Sequence, residues 1–486
     1  MKNLVLEPKE ENIIDTFLKD SIGRDEDIIT FVKMIDSLEE STSIAIDSDW
    51  GDGKTFFVKQ TKLILDCYNK NINNNNAKKE EIKAKTNKIV QALLHTNQDF
   101  YIQDHVSIYY DAWVNDNDED PILSLCYSIL KDMNLDYDLS SNATDIFELL
   151  SSIAELCGVS KIGSIITILK NLSKQNNPLQ SISDQKELED EVKNFLGTIL
   201  PERGHKLVIF IDELDRCKPT YAVKLLERIK HYFSNEQIVF VFSVNINQLQ
   251  HTVKAFYGDD FDASRYLDRF FDFRLSLPKI NDIDNFIGYI SSENKTKYQY
   301  KLLNKICKII GGRNLSLREF AKFYRHMSMA TNLFFKNKKD WSTFNTNAGD
   351  FCITYIVPLL ILLKITNQDE YLNFIEGRSK DINGNIVIFN KIFDSIDDEN
   401  IEKYWIFPEN TIIDTKRLNI LADLKKLYYE LFENKSEIEF KKIGTMSIEK
   451  ELREKVLRIA NMFSEESEFM NDDLESTSQL SELENN

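Results

Sequence analysis

Five consecutive apolar residues, Leu207-Val208-Ile209-Phe210-Ile211, run without a polar break into Asp212-Glu213 in the segment KLVIFIDELDRCKP, Lys206 to Pro219. A strand with water on one face alternates apolar and polar side chains. A run without alternation needs apolar cover on both faces, which is the condition of a central strand in a parallel sheet. This segment restricts the chain to an α/β architecture. It also sets two carboxylates at the strand's C-terminal end, where open α/β sheets bind ligands. Taken singly, Asp212 or Asp215 would serve equally as the N-cap of a following helix. TYAVKLLERIKHYF then has helical spacing and QIVFVFSVN, Gln237 to Asn245, is a second buried strand, so strand, helix, strand completes a parallel crossover. Asn245, at the polar end of that second strand, has two readings of equal standing. Its amide could meet a γ-phosphate or an attacking water, or it could cap the helix that begins at INQLQHTV.

Upstream, SIAIDSDWGDGKTFFVKQ, Ser43 to Gln60, passes from a short apolar strand through glycines into a helix-compatible spacing of Phe56, Phe57, Leu63, Ile64 and Cys67. A bare G-K-[ST] arises by chance in roughly one chain in four of this length, so an ordinary surface turn is the alternative and context must decide. The full phosphate-loop pattern is G-x-x-x-x-G-K-[ST]. Here Ser48 stands at the first position, followed by Asp49-Trp50-Gly51-Asp52 and Gly53-Lys54-Thr55, and Gly51 supplies some of the lost backbone freedom. Strand, loop and helix aim a helix N-terminus at an anion. In combination with Asp212-Glu213 the chemistry becomes specific: Lys54 neutralises phosphate charge, Thr55 and Asp212 hold Mg²⁺, and Glu213 polarises the attacking water.

The rest of the chain sets limits. Its 486 residues suit two to four domains, and 79 acidic against 60 basic residues give a formal charge of −19, which disfavours a DNA-dependent activity. The six cysteines at 67, 126, 157, 217, 307 and 352 form no C-x-x-C pair and read as reduced, buried thiols. The N-terminal MKNLVLEPKEEN lacks a signal-peptide core, and the apolar stretches IGSIITIL and FCITYIVPLLILL are too short to span a bilayer, so a cytoplasmic protein without a membrane span is expected. Asn69 to Asn87, rich in asparagine and charge, reads as a solvated excursion between helices. HVSIYYDAW, His105 to Trp113, reads as a strand, with a helix starting near Pro121. Residues 139–200 read as a helical insertion. From Ser464 onward there are eight acidic and no basic residues, the composition of a disordered tail.

These stretches together resemble the KAP family of P-loop ATPases, within the additional-strand, catalytic-glutamate class of NTPases. DSIGRDED, Asp20 to Asp27, is similar to the family's leading box and DSDWGDGKT to its tryptophan-containing Walker A. YYDAW is similar to the strand that follows, and FIDELDRCKP, the most specific match, to its Walker B with an added Asp-Arg. ASRYLDRFFDFRLSLP and NLSLREFAKFYRHM are similar to later blocks. Ser48 departs from the usual glycine, and the transmembrane helices many members carry between the two Walker motifs have no adequate counterpart here.

The expected organisation is an α/β P-loop NTPase core over residues 1–280 with a helical insertion, a helical C-terminal domain over 281–463 and the acidic tail 464–486. The resemblance implies ATP and Mg²⁺ as cofactors, with Arg24 near the base and Asp49, Trp50, Gly51, Asp52, Gly53, Lys54, Thr55 and Phe56 around the nucleotide. Arg269 and Arg318 become candidates for an arginine finger or sensor, against the alternative of solvated arginines paired with nearby carboxylates. Asp215 and Arg216 are expected to form an internal ion pair bracing the turn, and the Trp50 and Trp113 rings to pack rather than touch ligand. The implied function is ATP hydrolysis driving a conformational change in an assembly, through a protein partner or self-association, with a role in bacterial antiviral defence. The competing function is a nucleotide-gated scaffold with little turnover.

Overall fold

The computed structural model describes residues 6–71, 78–95, 100–118, 120–132, 204–232, 237–278, 315–334, 352–379, 424–434, 440–443 and 446–462, with isolated positions between 285 and 349. The expected insertion at 139–200, the IGSIITIL segment, Cys157, Cys307 and the tail from Ser464 lie outside the described residues. The chain divides into two compact units, Glu7–Ile280 on one side and Asn281–Asn486 with Met1–Leu6 on the other.

In the first unit, helices α1 (Glu10–Leu18) and α2 (Asp25–Ser37) precede strand β1 (Thr42–Asp47). The turn between them places Asp20 and Gly23 at positive φ, 48° and 69°, and α2 then opens with Asp25, Glu26 and Asp27, charges that favour a helix N-terminus. Helices α3 (Lys54–Tyr68) and α4 (Lys79–Leu94) follow, then β2 (His105–Asp111) and α5 (Pro121–Asp132). Past residue 203 come β3 (Lys206–Asp212), α6 (Pro219–Tyr232), β4 (Ile238–Val244), α7 (Ile246–Tyr257), the short α8 (Ala263–Leu267) and β5 (Phe273–Ser276).

The five strands form one sheet in the order β2-β3-β4-β1-β5, with every pairing parallel. β4 lies between β1 and β3, so the strand before the glycine loop and the strand before Asp212-Glu213 are separated by one added strand. All seven residues of β3 and of β4 are buried, as their unbroken apolar runs require. Ile209, Ile211, Phe240 and Phe242 join Ile122, Leu125, Leu225 and Leu249 from α5, α6 and α7 in one core, while α3 packs on β2 and β4 and is covered in turn by α1, α2 and α4.

One expectation needs correction. The stretch Asn69 to Asn87 is not simply solvated: Asn69 is fully buried and donates from Nδ2 to the His105 carbonyl (2.7 Å), and α4 turns Ile82, Thr86 and Val90 inward. Three small or branched residues at spacings of four form a buried stripe that the surrounding lysines and glutamates mask in the composition.

The second unit contains α9 (Leu317–Phe334), α10 (Val357–Thr366), α11 (Gln368–Ile375) and α12 (Lys450–Met462). Its core gathers Phe320, Phe323, Tyr324, Leu360, Tyr371, Tyr428 and Ile459. Of the stretch FCITYIVPLLILL, Cys352–Ile356 form a wide helical turn running into α10, where Val357, Leu359, Leu360, Ile361 and Leu363 are buried in that core. Beside the helices stands an antiparallel hairpin of β6 (Phe440–Ile443) and β7 (Met446–Glu449), which helical periodicity alone does not anticipate. Among the described residues no helix is long and apolar enough to cross a membrane. Cys67, Cys126, Cys217 and Cys352 are free and buried.

Candidate functional site

The site lies where β1, β3 and β4 end. Gly53, the residue before α3, has φ 89°, and Gly51 has φ 94°, so both glycines occupy backbone that side-chain-bearing residues rarely adopt. Ser48 does not: it is absent from the positive-φ residues, and its N–H reaches the Val244 carbonyl (3.4 Å). Serine at the first motif position therefore brings no backbone strain, and the conformational demand falls on the two glycines that are present. The loop closes on Lys54, whose Nζ donates to the carbonyls of Ser48 (2.5 Å) and Asp49 (3.1 Å).

Arg24 braces this loop from beneath. Its guanidinium is buried and donates to the Asp52 carbonyl (2.8 Å) and the Pro278 carbonyl (2.6 Å). Burial lowers its pKa to about 10, which still leaves it charged at neutral pH. Asp52 itself is buried, Asp49 accepts from Asn245 Nδ2 (3.4 Å), and Thr55 sits half-buried on the first turn of α3. The Phe56 ring is turned into the core at 7% exposure, so at that position only the backbone N–H is left to face a ligand.

At the end of β3, Asp212 accepts from the Tyr109 hydroxyl (2.9 Å) and from the Glu213 N–H (3.0 Å). Burial and the adjacent Asp212 carboxylate raise the Tyr109 pKa, so that hydroxyl stays a donor. Glu213 has φ 61°, a left-handed conformation that costs a non-glycine residue about 1 kcal/mol. The kink starts the short turn Leu214–Arg216. Burial, then the neighbouring Asp212, push the Glu213 carboxyl up to about 7 against the opposing charge of Arg216. Facing this turn, Lys54 has its pKa lowered by burial, while Asp215, Asp212, Glu213 and Asp52 act to keep it charged. One ammonium thus sits in the field of four carboxylates.

The expected Asp215–Arg216 ion pair does not form. Asp215 accepts instead from Trp50 Nε1 (2.5 Å), and Arg216 pairs through Nε with the Glu213 carboxylate. The reason is geometric: a left-handed Glu213 followed by a tight turn brings residues 213 and 216 together and sends Asp215 toward the loop after β1. Trp50 and Trp113 are 44% and 51% exposed, and their rings lie 5.6 and 5.4 Å from the Arg216 guanidinium carbon, within cation–π range.

Asn245 fulfils its capping role, accepting from the Gln248 N–H (3.1 Å), while its Nδ2 reaches the loop at Asp49. Asp47 adds a second brace, accepting the Ile246 N–H (2.9 Å). Arg269 is exposed on the turn after α8, and its carbonyl accepts from Lys230 Nζ (2.5 Å); among the described residues no contact ties its side chain to the loop. Arg318 is exposed on α9, in the second unit. No sequence motif marks Tyr109 as a site residue. Its signal was the alternation in β2, where Ser107, Tyr109 and Asp111 form a polar face opposite Val106, Ile108 and Tyr110. Lys59 on α3 lies 4.3 Å from the Tyr109 ring centroid.

A nucleotide's phosphates fit these residues. Loop backbone around two positive-φ glycines, the N-terminus of a helix and an inward lysine are an anion cradle, and the Ser48 hydroxyl oxygen is buried without a hydrogen-bond partner. The sequence pattern of the KAP family P-loop domain matches residues 24–334, from Arg24 through α9 and over more than half of the chain. An uncharacterized protein of Methanocaldococcus jannaschii is 39% identical over 100 residues, 19% of this chain and 51% of that protein. The chain therefore spans about half the length of this curated relative. With a phosphate loop after β1, paired carboxylates after β3, an added strand between them and the family pattern running through all three, this chain belongs to the KAP family of nucleotide-binding P-loop NTPases.

Proposed function

We propose that the chain binds ATP with Mg²⁺ and hydrolyses it, using the energy of the nucleotide cycle to change conformation within an assembly. The observation that supports this most is the convergence of Lys54, at the mouth of the glycine loop, with Asp212 and Glu213 across the added strand. In this reading Lys54 and the loop N–H groups neutralise and orient the phosphates, and Thr55 and Asp212 hold the divalent ion. The ion, when bound, supplies positive charge to the phosphate oxygens. Tyr109 keeps one Asp212 oxygen fixed. Glu213, partly buried with its carboxyl near neutral pKa, accepts a proton from an attacking water. Asn245 steadies the loop through Asp49. A protein partner or self-association, and a place in bacterial antiviral defence, rest on the family resemblance alone. Arg24 near the base, and Arg269 or Arg318 as the arginine that meets developing charge, belong to the same proposal.

A second reading, a nucleotide-gated scaffold with little turnover, is favoured by one observation: the Glu213 carboxylate is engaged by Arg216. Equilibrium nucleotide binding and phosphate release, measured on the same preparation with Mg²⁺ and with chelator, separate the two. Tight binding without phosphate release overturns the hydrolytic reading and leaves the scaffold; absence of binding overturns both.

A further inference from the structure

The feature left unexplained by nucleotide chemistry is the indole–guanidinium stack beside the site. Arg216 is three residues past Glu213, pairs with its carboxylate, and lies within cation–π range of both the Trp50 and the Trp113 ring. Trp113 follows β2 in the turn that its own strand anchors, with Ala112 N–H on the Asp212 carbonyl (3.0 Å). It is a fixed wall. Trp50 is different, because it belongs to the phosphate loop itself, three residues before Gly53. Its ring contacts Arg216 and its Nε1 holds Asp215 (2.5 Å), whose carbonyl is in turn held by Thr252 on α7 (3.3 Å). The loop that would wrap phosphates therefore touches, through one side chain, both residues that follow Glu213-Leu214 in the β3 turn.

We propose that Arg216 is a latch on Glu213, set by the phosphate loop through Trp50. In the described conformation the guanidinium occupies the carboxylate that would otherwise serve an attacking water, and both indole rings lie within cation–π range of it. Wrapping of the loop around a triphosphate shifts Trp50, removes one face of the stack and frees Glu213. Arg216 and Trp50 are positioning residues that act through Glu213. The stack suits this use because a guanidinium is planar and weakly hydrated, so two rings clamp it while its edge still faces a carboxylate. Lysine keeps the charge and loses the clamp.

The inference rests on the hydrolytic reading, and its test separates the two. In full-length protein with the tryptophans at 341 and 405 changed to phenylalanine, indole emission reports on Trp50 and Trp113 alone. Saturating ATP with Mg²⁺ should change that emission in the parent by more than in Arg216→Gln, where Trp50 has only its contact with Asp215 to lose. Arg216→Gln should also raise kcat by roughly tenfold, the equivalent of one charge-assisted hydrogen bond, with nucleotide affinity unchanged. Arg216→Lys should resemble Arg216→Gln. A variant that binds nucleotide like the parent but turns over no faster overturns the latch and leaves the NTPase reading standing. If the parent binds nucleotide yet neither it nor Arg216→Gln hydrolyses it, the hydrolytic reading fails, and the emission change alone decides whether the loop moves Trp50: constant emission overturns the coupling as well.

Discussion

The two turns that face each other across the sheet are built on opposite principles. The loop after β1 is shaped by its backbone: two positive-φ glycines, a helix start and a lysine folded onto carbonyls five and six residues away. The turn after β3 is shaped by side chains from elsewhere, with Tyr109 on Asp212, Trp50 on Asp215, and Trp50 and Trp113 on Arg216. A backbone-built site tolerates change at positions with ordinary φ and fails at its glycines and its charge. A side-chain-built site loses function in increments, because each partner carries a part of the geometry. The contrast suits a division of labour in which one wall holds the phosphates and the other controls the attacking water.

The largest effects should come from the charged groups at the centre of each wall. Lys54→Ala removes an ammonium from a cradle that otherwise carries four nearby carboxylates. Nucleotide affinity should fall by about a hundredfold or more, as expected for two charge-assisted hydrogen bonds, and titration calorimetry checks it on a variant whose circular dichroism matches the parent. Glu213→Gln should retain nucleotide and lower kcat by roughly 10² to 10⁴, the usual worth of a positioned base; phosphate release kinetics with parental turnover would remove Glu213 from the mechanism.

Substitution within the glycine loop sharpens the comparison further. Gly53→Ala forces a Cβ onto φ 89° and should weaken binding by roughly tenfold, from about 1–2 kcal/mol of strain. Ser48→Gly should change affinity much less, because Ser48 has no positive φ to relieve. If the glycine at position 48 tightened binding as strongly as the alanine at position 53 weakened it, the backbone account of the loop would be wrong.

On the opposite wall, Tyr109→Phe should cost about 1 kcal/mol of stability and raise the Mg²⁺ concentration needed for half-maximal turnover by a few fold, with kcat at saturating metal little altered. A metal-independent fall in kcat would place Tyr109 in a different role.

The smallest expected effect lies behind the loop. Asp25, next to the Arg24 brace, pairs with Lys85, and burial pushes its carboxyl from 3.8 up to about 7. The folded state therefore holds a proton that the unfolded state has lost between those values. Asp25's contribution is present in full below pH 3.8 and is lost as pH rises through about 7. Urea midpoints at pH 5 and pH 8 should differ less in Asp25→Asn than in the parent, and an unchanged difference would show that Asp25 is not the titrating group.

Much of this was legible in the residues. The unbroken run before Asp212-Glu213, the strand, loop and helix around Lys54, and the capping chemistry of Asn245 are local patterns whose meaning depends on neighbours within a few positions. The excursion after α3 misled because charge and asparagine dominate its composition while Ile82, Thr86 and Val90 alone carry the buried stripe. Arg216 misled for another reason. Asp215 is its immediate neighbour and Glu213 is three residues away, and the pairing with the more distant one follows from a left-handed Glu213 that no composition announces.

What the sequence determined by itself is therefore the chemistry of each wall: which residues end the buried strands, where the glycines sit, and which lysine and carboxylates are on offer. What tertiary structure alone decided is how the walls meet. Trp50 and Asp215 are 165 residues apart and Tyr109 and Asp212 are 103 apart, and they meet because β4 separates β1 from β3 while β2 pairs in register with β3. Strand order and register are set by burial of whole faces against helices, a collective outcome of the packed core. A side chain at a strand's end inherits its partner from that outcome, which is why the partners of Asp212, Asp215 and Arg216 appear only in the folded molecule.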